Sequence, residues 1–299
     1  MESTDILYSV ADGITTITLN KPEKMNAFTR AMGADVVKAL DQAAADDAVK
    51  VIVLTGAGRA FCAGADLGAP EGAFSKAGNK TEADREAAVG AGGEIDWKNP
   101  STRDFGGYIT LKMFDSPKPI IAAINGHAVG IGLTMTLAAD IRVASNAAKF
   151  GFPFVRRGIA PESASAWFLP RIVGISRALE WTLSGRTFPA SEGLEAGLVR
   201  SLHEPEDVLP AAYALARDIA DNTAPVSVAL TRQLLWRMLS ADHPMDAHRL
   251  ESRALFTRAR GNDIREGVAS FKEKRLPNFA DKVSSDLPAF YPWWDEEEY

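Results

Sequence analysis

Two stretches of the chain pair small residues with the pattern of a strand leading into a helix. The first is Arg59-Ala60-Phe61-Cys62-Ala63-Gly64-Ala65-Asp66-Leu67, which follows the apolar run Val51-Ile52-Val53-Leu54. The second is Asn125-Gly126-His127-Ala128-Val129-Gly130-Ile131-Gly132-Leu133, which follows Ile120 to Ile124. Small residues let a ligand approach backbone N–H groups closely. Donors at a helix start favour developing negative charge. Two such loops facing each other form an oxyanion hole. The competing reading is that both are tight packing turns, and spacing alone favours that one.

Other chemistries find less support. The four histidines are His127, His203, His243 and His248. His243 and His248 are five apart, poor spacing for one helical face, and read as solvated rather than metal-bound. His127, beside the second loop, reads as structurally satisfied. Gly56-Ala57-Gly58 follows a strand, but Phe61 stands where a dinucleotide fingerprint needs its third glycine. No nucleophile elbow, paired zinc-protease histidines or phosphate-binding loop occurs. Cys62 is the single cysteine and reads as a small buried filler. It cannot form an internal disulfide, so a reducing, cytoplasmic setting is expected. No metal is expected.

The elements that position these loops follow from local pattern. Ile6 to Val10 and Ile14 to Leu19 are β-rich and joined by Ala11-Asp12-Gly13, a hairpin signature. Thr29 is placed to cap a helix running through Met32, Val36, Val37 and Leu40. Val51 to Leu54 suits a strand buried on both faces. Gly56 to Gly68 reads as a loop, and Asp66 within it as a helix N-cap. Residues 69–100 are rich in Gly, Ala, Lys and Glu, and read as a mobile surface excursion open to proteolysis at Lys76, Lys80 or Arg85. A strand over Ile120 to Ile124, a turn over Gly126 to Gly132 and a helix over Leu133 to Ala139 come next. Strands are expected at Ile141 to Ala144 and Lys149 to Phe152. Helices are expected over Ser163 to Ile172, Ser176 to Leu183, Ser191 to Ala196, Leu209 to Asp221 and Pro225 to Leu239, the last with Pro in its first turn. Asp263 and Glu266 resemble a capping box for a helix ending near Lys274. The aromatic, acidic tail from Leu287 reads as a strap docked on a surface or a partner subunit.

Composition bounds the function. The chain has 299 residues, 46% of them hydrophobic and 24% charged, enough for a large core. The net charge of −6 leaves no basic excess for a nucleic-acid backbone. The acidic N-terminus reads as neither signal peptide nor anchor, and no apolar run approaches the roughly 20 residues of a membrane helix. Neither a nucleic acid nor a membrane is an expected partner.

Several long segments, in order, resemble the crotonase, or enoyl-CoA hydratase/isomerase, superfamily. They are Leu19 to Ala27, Ala60 to Leu67, Lys118 to Gly126, the Gly130 to Gly132 turn, Phe168-Leu169-Pro170-Arg171 and Leu183-Ser184-Gly185-Arg186. The resemblance covers about residues 5 to 280. It implies an α/β fold: a spiral of ββα units over residues 1–200, with a surface insertion about 69–100. A C-terminal helical region over 201–280 and a tail over 281–299 complete the division. It also implies homotrimers, often paired into hexamers, and a CoA thioester substrate, with CoA present as part of that substrate and no permanently bound cofactor.

By motif position, the resemblance assigns the backbone N–H groups of Ala65 and Ile131 to the thioester oxygen. Lys24, Ala63, Asp66 and Leu67 fall near CoA, and Phe271 and Lys274 fall where a neighbouring subunit contacts it. Thr134 and Phe154 stand where typical hydratases carry their two catalytic glutamates. Eight residues beyond Phe154 lies Glu162, near the position of a functional acid in dienoyl-CoA isomerases and a related dehalogenase. Glu162 then becomes the acid/base, although a Glu in the first turn of a helix also simply complements the helix dipole. Ile131, Phe152, Phe154 and Trp167 are expected to shape the acyl pocket. Arg156 and Arg157 are placed either to meet phosphates or on a solvated face, and Thr134 to hold a water or simply to pack. An acyl-CoA enzyme using one carboxylate is the leading expectation. A CoA-thioester hydrolase, C–C bond hydrolase or dehalogenase of the same fold, and a non-catalytic acyl-CoA-binding pseudoenzyme, are the alternatives.

Overall fold

The computed structural model describes residues 5–68, 86–90, 92–295, 297 and 299. It opens on the expected hairpin, β1 (Ile6–Ala11) and β2 (Ile14–Leu19), paired antiparallel. Asp12 and Gly13 both adopt positive φ, 49° and 78°, as a turn matched to strand twist requires. Helix α1 (Arg30–Ala45) follows, and the Thr29 side chain accepts from the Met32 N–H at 3.2 Å, the expected cap.

The next strands alternate between two sheets. β3 (Val51–Gly56), β5 (Ile120–Ile124) and β7 (Ile141–Ser145) add in parallel to the first sheet. The strand after each joins the second sheet: β4 (Ala60–Cys62), β6 (His127–Val129) and β8 (Lys149–Gly151). This alternation winds the chain into a spiral of ββ pairs. β9 (Thr187–Pro189) closes the second sheet against β8, and β10 (Ser201–His203) closes the first against β7. The first sheet therefore runs β1-β2-β3-β5-β7-β10, and the second β4-β6-β8-β9.

The continuous apolar run of β3 has its expected cause. Ile52 and Leu54 enter the main core, whereas Val51 and Val53 enter a second cluster on the sheet's other face. β5 divides the same way, with Ile120, Ala122 and Ile124 on one side and Ile121 and Ala123 on the other. The second cluster is covered by a helix over Val208–Asn222, whose Val208, Ala212, Ala216 and Ala220 repeat every four residues along one stripe.

Several local expectations need correction. The two supposed loops contain β4 and β6. These strands are three residues long, and each is held by parallel partners rather than by a long apolar run. The helix expected over Leu133–Ala139 is a single α turn, α2 (Ile131–Thr134), followed by a 3-10 turn, Met135–Ala138. Asp263 and Glu266 do not form a capping box. Asp263 instead accepts from the Ala280 and Asp281 amides, and Glu266 binds Arg275 and the Asn278 N–H. Both tie the helix Asp263–Glu273 to the chain immediately after it. A polar helix over Pro244–Arg258, not delimited from the sequence, is entered through His243, whose Nδ1 accepts from the Met245 N–H.

Pro225 occupies the first turn of the helix Pro225–Met238, as expected. The tail docks on this chain's own C-terminal helices. Leu287, Phe290, Tyr291 and Trp293 pack against Val226, Leu230 and Ala254, and the Arg237 guanidinium lies 3.3 Å from the Trp294 ring centroid. The expected cleavage points Lys76, Lys80 and Arg85 lie outside the described residues. Among the described residues, no helix is long and apolar enough to cross a membrane.

Candidate active site

β4 and β6 are parallel neighbours, pairing Ala60 with His127 and Cys62 with Ala128, so the loops after them emerge side by side. Glycine lets those loops touch backbone to backbone. A Cβ on Gly132 would lie 2.2 Å from the Cys62 carbonyl oxygen, and one on Gly126 would lie 2.2 Å from that of Arg59. Two asparagine amides fix the arrangement. Buried Asn26 donates to the Ala57 and Ala60 carbonyls at 2.9 and 2.8 Å. Asn125 accepts from the Gly56 N–H and donates to the Gly58 carbonyl. Phe28 then pairs with Gly64 and Asp66, leaving Ala65 between them.

These loops are therefore tight packing turns and also present free donors. Ala65 and Ile131 both line a cavity of about 580 Å³. Among the described residues, neither backbone N–H meets a protein acceptor. Ala63, Leu67 and Phe154 line the cavity too.

Glu162 lines the same cavity. It does not sit in a helical first turn. Ser163 and Ala164 adopt positive φ, 61° and 52°, and α-helix resumes only at Ser165, in the span Ser165–Val173. The helix-dipole reading of Glu162 falls with that geometry. Strained backbone of this kind persists where its surroundings over-determine it. Here the Thr110 hydroxyl donates to the Ser163 carbonyl at 2.9 Å, and the Ser163 N–H donates to Asp104 Oδ1 at 3.1 Å.

The Glu162 carboxyl is held on both oxygens. Thr134 Oγ1 donates to Oε1 at 2.6 Å, and the Ser163 hydroxyl donates to Oε2. Thr134 thus does more than pack. Burial pushes the Glu162 carboxyl up to about 7; the two hydroxyl donors oppose the rise, and the neighbouring Asp104 charge adds to it. Gly106 leaves the space this carboxyl occupies, since a Cβ there would lie 2.0 Å from both Glu162 Oε2 and Ser163 Oγ.

Other expected residues fall elsewhere. Phe152 stacks with Trp181 and lies tilted against Phe188, and Trp167 packs with Phe114, Phe168 and Trp236; neither lines the cavity. Both were drawn into aromatic clusters that sequence order does not reveal. His127 is exposed, with Nδ1 accepting from the Lys149 N–H. Arg156 turns away to the Ser184 carbonyl, whereas Arg157 lines the cavity. Lys24 pairs with Asp66 at 3.5 Å. Asp66 accepts from the Gly68 N–H, an Asx turn, and residues 69–85 beyond that turn lie outside the described residues. Phe271 is 84% exposed and Lys274 caps the last helix in a left-handed conformation, both away from the cavity. Burial pushes the Cys62 thiol up to about 12, in keeping with an inert filler.

Asp104, Arg30, Arg103 and Gly106 also line the cavity and were not singled out by sequence reasoning. Asp104 had one legible signal, an Asp preceding a helix pattern. It does cap the helix Phe105–Asp115, accepting from the Gly107 N–H at 2.7 Å. The Arg103 guanidinium lies 4.1 Å from the Tyr108 ring centroid and 4.4 Å from that of Tyr299, which brings the tail to the cavity's rim. Among the described residues, no group of three His, Cys, Asp or Glu side chains is arranged to hold a metal.

A sequence model of the enoyl-CoA hydratase/isomerase family matches residues 9–87 and 99–282. The chain belongs to that family. An enoyl-CoA hydratase of Alternaria alternata, ACTT3, is 45% identical over 91% of this chain and 85% of its own length. The 1,2-epoxyphenylacetyl-CoA isomerase of Escherichia coli is 34% identical over 93% of this chain and 98% of its own. Among solved structures, a probable enoyl-CoA hydratase/isomerase from Mycobacterium abscessus aligns with a TM-score of 0.76 at 33% identity, over 94% of this chain and 100% of the other. The spiral of ββα units is thus the crotonase fold, and the family processes acyl-CoA thioesters.

Proposed function

We propose that this enoyl-CoA hydratase/isomerase family member stabilises the enolate of an acyl-CoA thioester and moves a proton with Glu162. The observation that carries the reading is one cavity lined both by the unengaged N–H groups of Ala65 and Ile131 and by a half-buried carboxyl poised near neutral pH. Two N–H donors on the thioester oxygen acidify the α-carbon, each contributing about 2.7–4 kcal/mol by analogy with other oxyanion holes. Glu162 as carboxylate removes the α- or γ-proton, and as carboxylic acid returns it to the other carbon. A carboxyl near 7 suits both halves of that shuttle. Thr134 and Ser163 orient it from either side.

A proton shuttle between carbons needs only this carboxyl. Isomerisation is therefore the more direct outcome than addition of water, which needs a second group to position the water. Lys24, Ala63, Asp66 and Leu67 are proposed to meet CoA within the subunit, and Phe271 and Lys274 to meet it from a neighbour in a homotrimer or hexamer. The exposed apolar side chains Leu235, Leu255, Phe256 and Phe271 support such an assembly. A cytoplasmic setting completes the reading.

The test is a panel of enoyl-, dienoyl- and β-ketoacyl-CoA substrates, with α-proton exchange followed in deuterated water. Glu162→Gln is expected to lower turnover and exchange by about 10²–10⁴-fold, with CoA affinity little changed. Turnover and exchange within a few-fold of wild type would remove Glu162 from the mechanism. CoA binding with no turnover of any substrate by wild type would identify a non-catalytic binder.

A further inference from the structure

Glu162 is reached by a residue of another element. Asp104 precedes the helix Phe105–Asp115, and its Oδ1 accepts two backbone N–H bonds, from Gly107 at 2.7 Å and from Ser163 at 3.1 Å. The first caps its own helix. The second grips the peptide immediately after Glu162, at the point where the chain turns to positive φ. Two residues on from Asp104, Gly106 keeps its face bare against the Glu162 carboxyl. We propose that Asp104 is a positioning residue for Glu162, fixing its backbone through the Ser163 N–H and presenting a second negative charge to its carboxyl.

The physical argument has two parts. Ser163 and Ala164 carry backbone strain that needs external anchors. Thr110 supplies one at the Ser163 carbonyl and Asp104 supplies the other at its N–H. The electrostatic part concerns the side chains. Asp104 lies close enough for its charge to disfavour ionisation of Glu162. The other charged groups on the cavity are Arg30 from α1, Arg103 beside Asp104, and Arg157 from the turn Val155–Arg157; Cys62 from β4 is close by as a neutral thiol. Burial is the chief effect that disfavours ionisation of the Glu162 carboxyl, and Asp104 is the anion that adds to it.

The catalytic consequence rests on Glu162 being the acid/base, but the test need not. Asn at position 104 keeps an oxygen to accept both N–H bonds, removes the charge and puts an amide donor in place of the second oxygen, and both changes favour ionisation of Glu162. Carbon-13 NMR of side-chain-labelled glutamate reads the Glu162 titration directly, with the resonance assigned by its loss in Glu162→Gln. The wild-type midpoint is expected near 7. In Asp104→Asn it should fall by about half a unit or more, since a nearby like charge shifts a carboxyl by that order. The pH profile of turnover should move down with it.

Asp104→Ala removes the anchor as well, and should cost at least about tenfold in kcat beyond Asp104→Asn while the NMR midpoint again falls. A residue serving only as a helix cap would leave the Glu162 midpoint unmoved in both variants, and that result overturns the proposal. A midpoint that falls while turnover ignores Glu162→Gln would retain the Asp104–Glu162 coupling and discard the acid/base reading.

Discussion

Replacing Glu162 by glutamine separates its charge from its shape, and the consequence for stability has a definite sign. The carboxyl titrates at 4.5 when free in the chain and at about 7 in the folded protein, chiefly because it is buried. A folded state that holds a proton more tightly is favoured where that proton is bound. The stabilisation is therefore complete below pH 4.5 and is lost as pH rises through 7. At about 1.36 kcal/mol per unit, the rise corresponds to about 2–3 kcal/mol once partial solvent contact is allowed for. Glutamine cannot ionise and keeps partners for both hydroxyls, Thr134 and Ser163. Glu162→Gln should thus be close to wild type in stability at pH 5 and more stable by about 2–3 kcal/mol at pH 8. Urea unfolding of both proteins across that range reads the difference. Parallel pH curves, or a variant less stable than wild type at pH 8, would refute the assignment of a desolvated carboxyl.

Gly106→Ala places a methyl against Glu162 Oε2 and Ser163 Oγ, and turnover should fall by about 10²-fold while CoA affinity holds; unaltered turnover would show that the carboxyl has room to move. Buried Arg232 donates to the carbonyls of Met113, Phe114 and Ser116 and pairs with Asp140, so Arg232→Met should cost about 3–5 kcal/mol in denaturant unfolding. A loss under about 1 kcal/mol would mean that Asp140 is satisfied by its bonds from Ile120 and Trp236. Lys274→Glu should weaken CoA binding, and the more so at low salt, with melting temperature nearly unchanged. Equal affinities by calorimetry would remove Lys274 from the CoA site.

Local signals in this chain were those written within one element. The Asp12-Gly13 turn, the Thr29 cap and the apolar runs of β3 and β5 each depend on neighbours a few residues away. The glycines of the two loops were legible for the same reason, although not which reading of them held. The packing reading holds at Gly126 and Gly132, and the loops locked together there bring Ala65 and Ile131 to one cavity. The short strands β4 and β6 escaped notice because three residues carry no periodicity, and their partners hold them extended.

The sequence by itself determined the opening hairpin, the apolar strands β3 and β5, a helix near Leu209 to Asp221, and two small-residue loops able to approach one another. It placed an acid at position 162 but assigned that acid to a helix start. Tertiary structure decided its chemistry. Ser163 and Asp104 are 59 positions apart, and Thr134 lies 28 before Glu162, so no local pattern links them. Their meeting depends on the packing of three elements around one cavity. That packing strips water from the Glu162 carboxyl, supplies its hydroxyl donors and sets an anion beside it. A carboxyl's affinity for its proton is a property of that environment, and the chain acquires the environment only on folding.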